Sequence, residues 1–329
     1  MQEIPREILI IQTAFIGDAI LAGSMIESWA SKYPNSVIDI LVRKGNESLF
    51  LTNPLIREVL IWEKKKKKYF NLLKLIKKIR RSKYDAVFNV QRFFATGLIT
   101  ALSSAKIKQG FSSNPLSFFY SKSFEFDTNS GMHEIDRNAQ LLSPFYTEKA
   151  KRPRLYPGKI EDDSCLKYKT KTYQCLAPTS VWFTKQWPKE NWIGLIKKLA
   201  GNKDEFIYLL GAPNDFDACE AIRTEANCEN VFNLSGKLSF MESASLMRDS
   251  KMNYVNDSAP MHISSSMNAP TTAIYCSTLP SFGFGPLSDN AKIVEYKEKL
   301  ACRPCGLHGK AYCPEKHFKC SDTLDQLIN

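Results

Sequence analysis

Three short segments of the sequence combine residue types and spacings that suit chemistry. The first, Thr13-Ala14-Phe15-Ile16-Gly17-Asp18, follows the apolar run Ile8–Gln12 and sets a carboxylate directly after a glycine. Gly17 permits close backbone approach of a ligand. Asp18 either caps the helix that follows or serves as a general base pointing into a cleft. The second segment, Pro178 to Pro188, carries the hydroxyls of Thr179, Ser180 and Thr184 beside the ammonium of Lys185. Neutral donors and a compact cation suit a diphosphate, whereas Trp187 and Pro188 read equally well as an anchor for the next helix. The third, Asn256-Asp257-Ser258-Ala259-Pro260-Met261-His262, runs from strand into helix. Pro260 suits a first helical turn, Asp257 or Ser258 suits its cap, and free amides at such a start bind anions. His262 lies one turn in, where a histidine otherwise most often structural is placed to touch phosphate.

A fourth segment is the tail Cys302-Arg303-Pro304-Cys305, with Cys313, Cys320, His308 and His317. Its C-x-x-C opening resembles half of a zinc site, but the six residues between Cys313 and Cys320 do not match a second half. Metal ligands, a redox pair and reduced thiols packing a compact loop are the three readings of these cysteines.

The elements that must hold these segments repeat one pattern of apolar run, polar loop and helical-period stretch. Strands are expected at Ile8–Gln12, Ser36–Val42, Val59–Trp62 and Asp85–Val90, with helices from Ala19 to Ser31 and from Tyr69 to Arg81. Gln109 to Thr128 reads as loops around short strands, Met132–Phe145 as a helix, and residues 147–172 as a connection. The second half restarts with strands at Tyr173–Ala177, Phe206–Leu210, Asn253–Asn256 and Thr271–Tyr275. Helices are expected at Lys189–Leu199, Asp215–Ala226, Phe240–Arg248 and Ala259–Met267, with a turn at Gly211–Asn214. Alternating strands and helices predict parallel sheets covered on both faces, whose ligands bind beyond the carboxyl ends of the strands. All three polar segments fall at such ends. No G-x-G-x-x-G follows the first strand, which argues against a dinucleotide fold of the dehydrogenase kind.

A length of 329 residues implies two domains, and 43% hydrophobic with 24% charged residues excludes wholesale disorder. No run approaches the roughly 20 apolar residues that span a bilayer. The opening MQEIPREILIIQTAF has acidic residues where a signal peptide carries positive charge, so it reads as the first strand of a cytoplasmic protein. Lys and Arg number 45 against 34 Asp and Glu, a net charge of +11 that favours phosphates, nucleic acid or an acidic membrane face. The densest run, Lys64 to Lys68, is either a solvated loop or a basic patch. Nine cysteines in such a chain are expected as thiols or metal ligands.

Taken together, these segments resemble glycosyltransferase family 9, whose best-known members are ADP-heptose:lipopolysaccharide heptosyltransferases. The resemblance is carried by Phe15-Ile16-Gly17-Asp18, His133-Glu134 with Arg137-Asn138, Thr184-Lys185-Gln186-Trp187-Pro188, Leu210-Gly211-Ala212-Pro213 and Asn256 to His262, with the cysteine tail. It implies a GT-B fold, α/β, of two Rossmann-like doubly wound domains facing across a cleft. Residues 1–158 would bind the acceptor and 159–329 the nucleotide sugar, with a tail able to pack back on the first domain. It implies inverting transfer with no metal and no cofactor. Asp18 would take the proton of an acceptor hydroxyl, and Lys185 would stabilise the departing diphosphate. Ser180, Thr184, Gly211, Asp257, Ser258, Ala259, Met261 and His262 would surround the donor. Gly17, Lys64, Lys65, Arg92 and His133 would meet an anionic acceptor such as Kdo-bearing or phosphorylated lipid A. Two positions depart from the family, which commonly has Gly at Thr179 and at Ala259; each adds a Cβ beside the expected diphosphate.

The sequence therefore points first to an enzyme that moves heptose from ADP-heptose to lipopolysaccharide core, peripheral at the inner face of the cytoplasmic membrane. The same fold with another donor, such as a UDP-sugar, is the alternative among enzymes. A non-catalytic anion- or nucleic-acid-binding protein is the alternative outside them. It lacks a recognisable nucleic-acid motif, and the polar loops recur at strand ends as a cleft requires.

Overall fold

The computed structural model describes residues 3–65 and 67–328. The chain divides into two compact units, Met1–Tyr156 and Pro157–Asn329. In chain order the first contains β1 (Glu7–Ile11), α1 (Ile16–Lys32), β2 (Val37–Arg43), β3 (Glu58–Trp62), α2 (Lys68–Arg81), β4 (Ala86–Asn89), α3 (Phe94–Leu102), β5 (Ile107–Phe111), β6 (Lys122–Phe124) and α4 (Glu134–Ala139). The second contains α5 (Lys159–Cys165), β7 (Tyr173–Ala177), α6 (Lys189–Leu199), β8 (Phe206–Leu209), α7 (Phe216–Ala226), β9 (Val231–Asn233), α8 (Phe240–Arg248), β10 (Asn253–Asn256), α9 (Ala259–Ser266), β11 (Thr271–Tyr275), β12 (Ala291–Glu295) and α10 (Asp325–Ile328).

Each unit is built on one six-stranded sheet, ordered β3-β2-β1-β4-β5-β6 in the first and β12-β11-β10-β7-β8-β9 in the second. Every neighbouring pair is parallel. Read from its own first strand, the second sheet repeats the order of the first, so both are doubly wound in the Rossmann sense. Strands buried on both faces read as unbroken apolar runs. Ile8, Leu9, Ile10 and Ile11 accordingly have no exposed surface. Leu9 and Ile11 pack under α2 residues Leu72, Leu75, Ile76 and Ile79, whose spacing is one face of a helix. In the second unit Trp187 and Trp192 meet edge to face at 5.1 Å within the core formed by α6 and the sheet.

The structure departs from the sequence-based expectations at identifiable places. The helix expected over Met132–Phe145 stops at Ala139, tightens into a single 3-10 turn and gives way at Ser143-Pro144, because the proline ring disfavours the helical conformation in the residue before it. Residues 147–172, expected as a connection, contain α5, whose buried Cys165 thiol donates to the Glu242 carbonyl of α8 at 3.3 Å. The Phe94–Leu102 helix, the three-residue β9 and the edge strand β12 were not expected. Asp18 is not the cap of α1: helical geometry begins at Ile16, which makes Phe15 the cap residue and Asp18 the third residue of the helix.

One buried charge secures the first sheet. Asp39 on β2, fully enclosed, accepts from Arg57 Nε at 3.1 Å and Nη2 at 2.7 Å, from the Glu58 amide at 3.0 Å and from Tyr84 Oη at 2.6 Å. Removing it takes away the acceptor of the buried Tyr84 hydroxyl and of the Glu58 strand amide. Asp39→Ala is therefore expected to lower stability by about 3 kcal/mol, read as a lower urea midpoint with an unchanged slope. A loss below about 1 kcal/mol would contradict this role.

Candidate active site

In a doubly wound sheet the loops part where the strand order reverses, and that point lies between β1 and β4 in the first unit and between β7 and β10 in the second. Several of the expected site residues lie in the loops at these two places, and others do not.

In the first unit, the loop after β1 is tied down from three sides. The Gln12 side-chain oxygen accepts from the Ala14 amide at 3.1 Å, and Asn46 Nδ2 donates to the Ala14 carbonyl at 3.0 Å. Lys64 Nζ, arriving just beyond β3, donates to the Thr13 carbonyl at 2.8 Å and to its hydroxyl at 3.1 Å. Burial pushes the Lys64 ammonium down to about 8, helped by Arg43 and Lys68. It is thus a desolvated cation in a positive field, an environment that an anion relieves. Gly17 and Asp18 are the second and third residues of α1 and are half-buried, with Phe15 exposed under the Arg43 guanidinium at 4.8 Å.

Helix α4 packs against α1 and brings a second carboxylate. His133 caps α4, its Nδ1 accepting from the Ile135 amide at 3.2 Å. Glu134, 5% exposed, accepts from Arg137 Nε at 2.9 Å, and Arg137 is 2% exposed. Burial pushes the Glu134 carboxyl up to about 7; the Arg137 guanidinium opposes this, and the field of Asp18 adds to it. Arg92, beyond β4, lies 4.0 Å over the Phe126 ring and also acts on Glu134. Asp18, Arg92, His133 and Lys64 are therefore grouped at the β1/β4 crevice. Lys65 is not: it is exposed, and its backbone amide donates to Glu63 Oε1 at 3.0 Å. Lys66 lies outside the described residues.

In the second unit the β7/β10 switch point is held by Asn256. Its Nδ2 donates to the Pro178 carbonyl at 2.9 Å, and its Oδ1 accepts from the Trp187 amide at 3.1 Å, so one buried amide shapes the loop that carries Ser180 and Lys185. Lys185 Nζ meets Asp257 Oδ2 at 2.7 Å, and Thr278 Oγ1 donates to the same oxygen at 2.6 Å. Both charged groups are largely enclosed, with side-chain exposures of 15% and 8%. Ser258 caps α9, whose first turn presents Ala259 and Pro260 half-exposed while His262 lies buried at 6%.

Other expected donor residues are committed to the frame. Thr184 is 1% exposed, and its Oγ1 accepts from Ser277 Oγ at 2.9 Å and from the Lys310 amide at 2.8 Å. Met261 has no exposed surface, and Tyr275 Oη donates to its sulfur at 3.3 Å. At Gly211 an added Cβ would stand 2.8 Å from Asp215 Cβ, so close packing requires glycine there.

The tail explains why these loops stay in place. Arg303 donates to the Cys276 carbonyl at 2.7 Å, the Thr278 carbonyl at 2.9 Å and Glu295 Oε2 at 2.8 Å. Gly309, with φ +77°, lies where a Cβ would meet Lys185 Cγ and Thr184 Oγ1 at 3.1 Å. Trp187 Nε1 donates to the Ser321 carbonyl at 2.9 Å. Among the described residues no group of three or more His, Cys, Asp or Glu is placed to hold a metal ion. The four tail cysteines are free thiols, with Cys302 Sγ 3.8 Å from His317 Nε2 and Cys305 Sγ donating to the Cys302 carbonyl at 3.3 Å.

The model of glycosyltransferase family 9 (heptosyltransferase) matches residues 72–312. The chain belongs to glycosyltransferase family 9. A lipopolysaccharide heptosyltransferase 3 of Escherichia coli is 26% identical over 290 residues, covering 84% of this chain and 85% of its own. The family 9 glycosyl transferase of Veillonella parvula superposes with TM-score 0.82 at 20% identity, over 98% of this chain and 95% of that one. The ADP-heptose lps heptosyltransferase II of E. coli gives TM-score 0.78 at 20% identity, over 98% of both chains. This family 9 member is thus a glycosyltransferase with the two-sheet architecture of the GT-B fold.

Glu134 and Arg137 carry part of the family resemblance, but of this segment only His133 was expected at the site. The signal was an acid and a base three apart on a short helix, which is as often a surface pair. Because the Glu134 carboxyl is raised on folding, its contribution to stability is complete below 4.5, the unfolded value, and is lost as pH rises towards about 7. Stability to urea is expected to fall over that window, by about 3 kcal/mol from this group, and Glu134→Gln is expected to flatten the slope. An unchanged slope in Glu134→Gln would contradict the assignment.

Proposed function

We propose that this glycosyltransferase moves heptose from ADP-heptose to the inner core of lipopolysaccharide, with inversion and without a metal. The observation that carries the reading is the Lys185–Asp257–Thr278 network at the β7/β10 switch point, beside the open first turn of α9. An ammonium has three donors, and Asp257 fixes its direction while leaving capacity for a phosphate. Helix amides at α9 add partial positive charge at the same place. Together they offer the stabilisation of a leaving diphosphate that a cation would otherwise supply. The ADP-heptose named for the E. coli heptosyltransferase II and the lipopolysaccharide named for the E. coli relative support donor and acceptor.

In this reading Asp18 accepts the proton of an acceptor hydroxyl. That oxygen bonds to the anomeric carbon, and the carbon–oxygen bond to the diphosphate breaks with its electron pair leaving on ADP. Arg92, Lys64 and the positive edge of the first sheet would receive an anionic acceptor, with His133 at the start of α4 nearby. Gly17 would let the acceptor approach α1. Ser180 and Ser258 would offer hydroxyls to the donor, while Thr184 and Met261 act by holding the loops on which those groups sit.

Asp18→Asn is expected to reduce transfer by about two to four orders of magnitude while ADP binding stays at the wild-type value. Full turnover in that variant would remove Asp18 from the role. Lys185→Ala is expected to weaken ADP binding by calorimetry by about tenfold to a hundredfold, with Thr278 still donating to Asp257. Undiminished ADP affinity would refute the Lys185 assignment, and tighter binding of UDP or GDP than of ADP would overturn the donor.

A further inference from the structure

The chain's excess positive charge has one address. Residues 64–83 contain eleven Lys and Arg and no Asp or Glu, and without them the 34 remaining basic residues equal the 34 acidic ones. The net charge of +11 therefore sits in a segment of twenty residues, made of the loop after β3, α2 and its end. On the buried side of α2, Leu72, Leu75, Ile76 and Ile79 meet the sheet. On the outer side Tyr69, Phe70 and Leu73 are 75%, 65% and 64% exposed, and Lys74, Lys77 and Arg81 are exposed with them.

A solvated helix face carries charge but has no reason to hold three large apolar side chains in water within five residues. A soluble polyanion would account for the lysines and leave Leu73 and Phe70 unexplained. An anionic bilayer accounts for both, because apolar side chains enter the headgroup boundary while Lys and Arg stay with the phosphates. Helix α3, packed against α2, opens with Phe93 and Phe94, 68% and 57% exposed, at the same carboxyl-end edge of the sheet. That edge also carries the β1/β4 crevice.

We propose that the outer face of α2 is a docking surface for an anionic phospholipid bilayer, with Tyr69, Phe70 and Leu73 inserted and Lys74, Lys77 and Arg81 on the headgroups. The surface places the acceptor crevice at the membrane, where an acceptor anchored in lipid would be presented. It is independent of the donor assignment, since docking is read without turnover. No helix among the described residues is long and apolar enough to cross a membrane.

The test is co-sedimentation of the full chain with vesicles of phosphatidylcholine alone and of phosphatidylcholine with 30% phosphatidylglycerol. Wild type is expected to bind the anionic vesicles at least tenfold more tightly and to lose that binding as salt is raised. Lys74→Gln/Lys77→Gln/Arg81→Gln is expected to weaken binding about a hundredfold. Phe70→Ser/Leu73→Ser is expected to weaken it about tenfold or more at unchanged charge. Far-UV circular dichroism and ADP affinity, both expected at wild-type values, show that the variants fold. Equal binding to both vesicles, no binding to either, or wild-type binding by the apolar double variant would overturn the proposal. Stronger binding to a single-stranded RNA than to the anionic vesicles would overturn it as well.

Discussion

The second domain depends on one buried carboxamide. Asn256 closes the end of β10, yet all its hydrogen-bonding capacity on this side is spent on the neighbouring β7 loop, through the Pro178 carbonyl and the Trp187 amide. β7 and β10 are adjacent strands whose connections then depart in opposite directions, and Asn256 ties the two loops together where they part. The amide converts a gap in the topology into a fixed site. Lys185 is then brought within 2.7 Å of Asp257, and the two carry their charges in a place where solvent screens them weakly.

The surrounding shell works for that pair. Thr278 orients Asp257, Arg303 holds the Thr278 carbonyl, and the tail's Gly309 packs on the Lys185 stem. In the proposed reaction, a cation held in this way would need little reorganisation as negative charge appears on the leaving diphosphate, and such preorganisation is where electrostatic catalysis gains most. The first domain answers with a different device. There a carboxylate on α1 is set near a second, buried carboxyl that is paired with Arg137 and raised by its burial.

Much of this was legible in the sequence, because the signals were local. Unbroken apolar runs such as Ile8–Ile11 mark buried parallel strands, and polar residues clustered at their ends mark the site edge. What escaped was non-local. Thr184 reads as one more phosphate-binding hydroxyl, and only the fold shows it clamped between Ser277 and Lys310, more than ninety residues away. The tail reads as cysteine spacing, while its working residue is Arg303, which lies between two of those cysteines. The edge strand β12 escaped because Ala291, Lys292 and Ile293 are exposed and give no alternation. Helix α3 escaped because no Ser, Thr, Asp or Asn caps it; Phe93 holds that position.

Inverting, metal-independent transfer is tested most directly by incubating the wild-type chain with ADP-heptose and a deacylated inner-core acceptor in the presence of EDTA, and reading the product by proton NMR. The expected result is one ADP released per heptose transferred, with the new glycosidic bond in the anomeric configuration opposite to that of the donor. Retention of configuration, or transfer that stops when divalent ions are chelated, would contradict it.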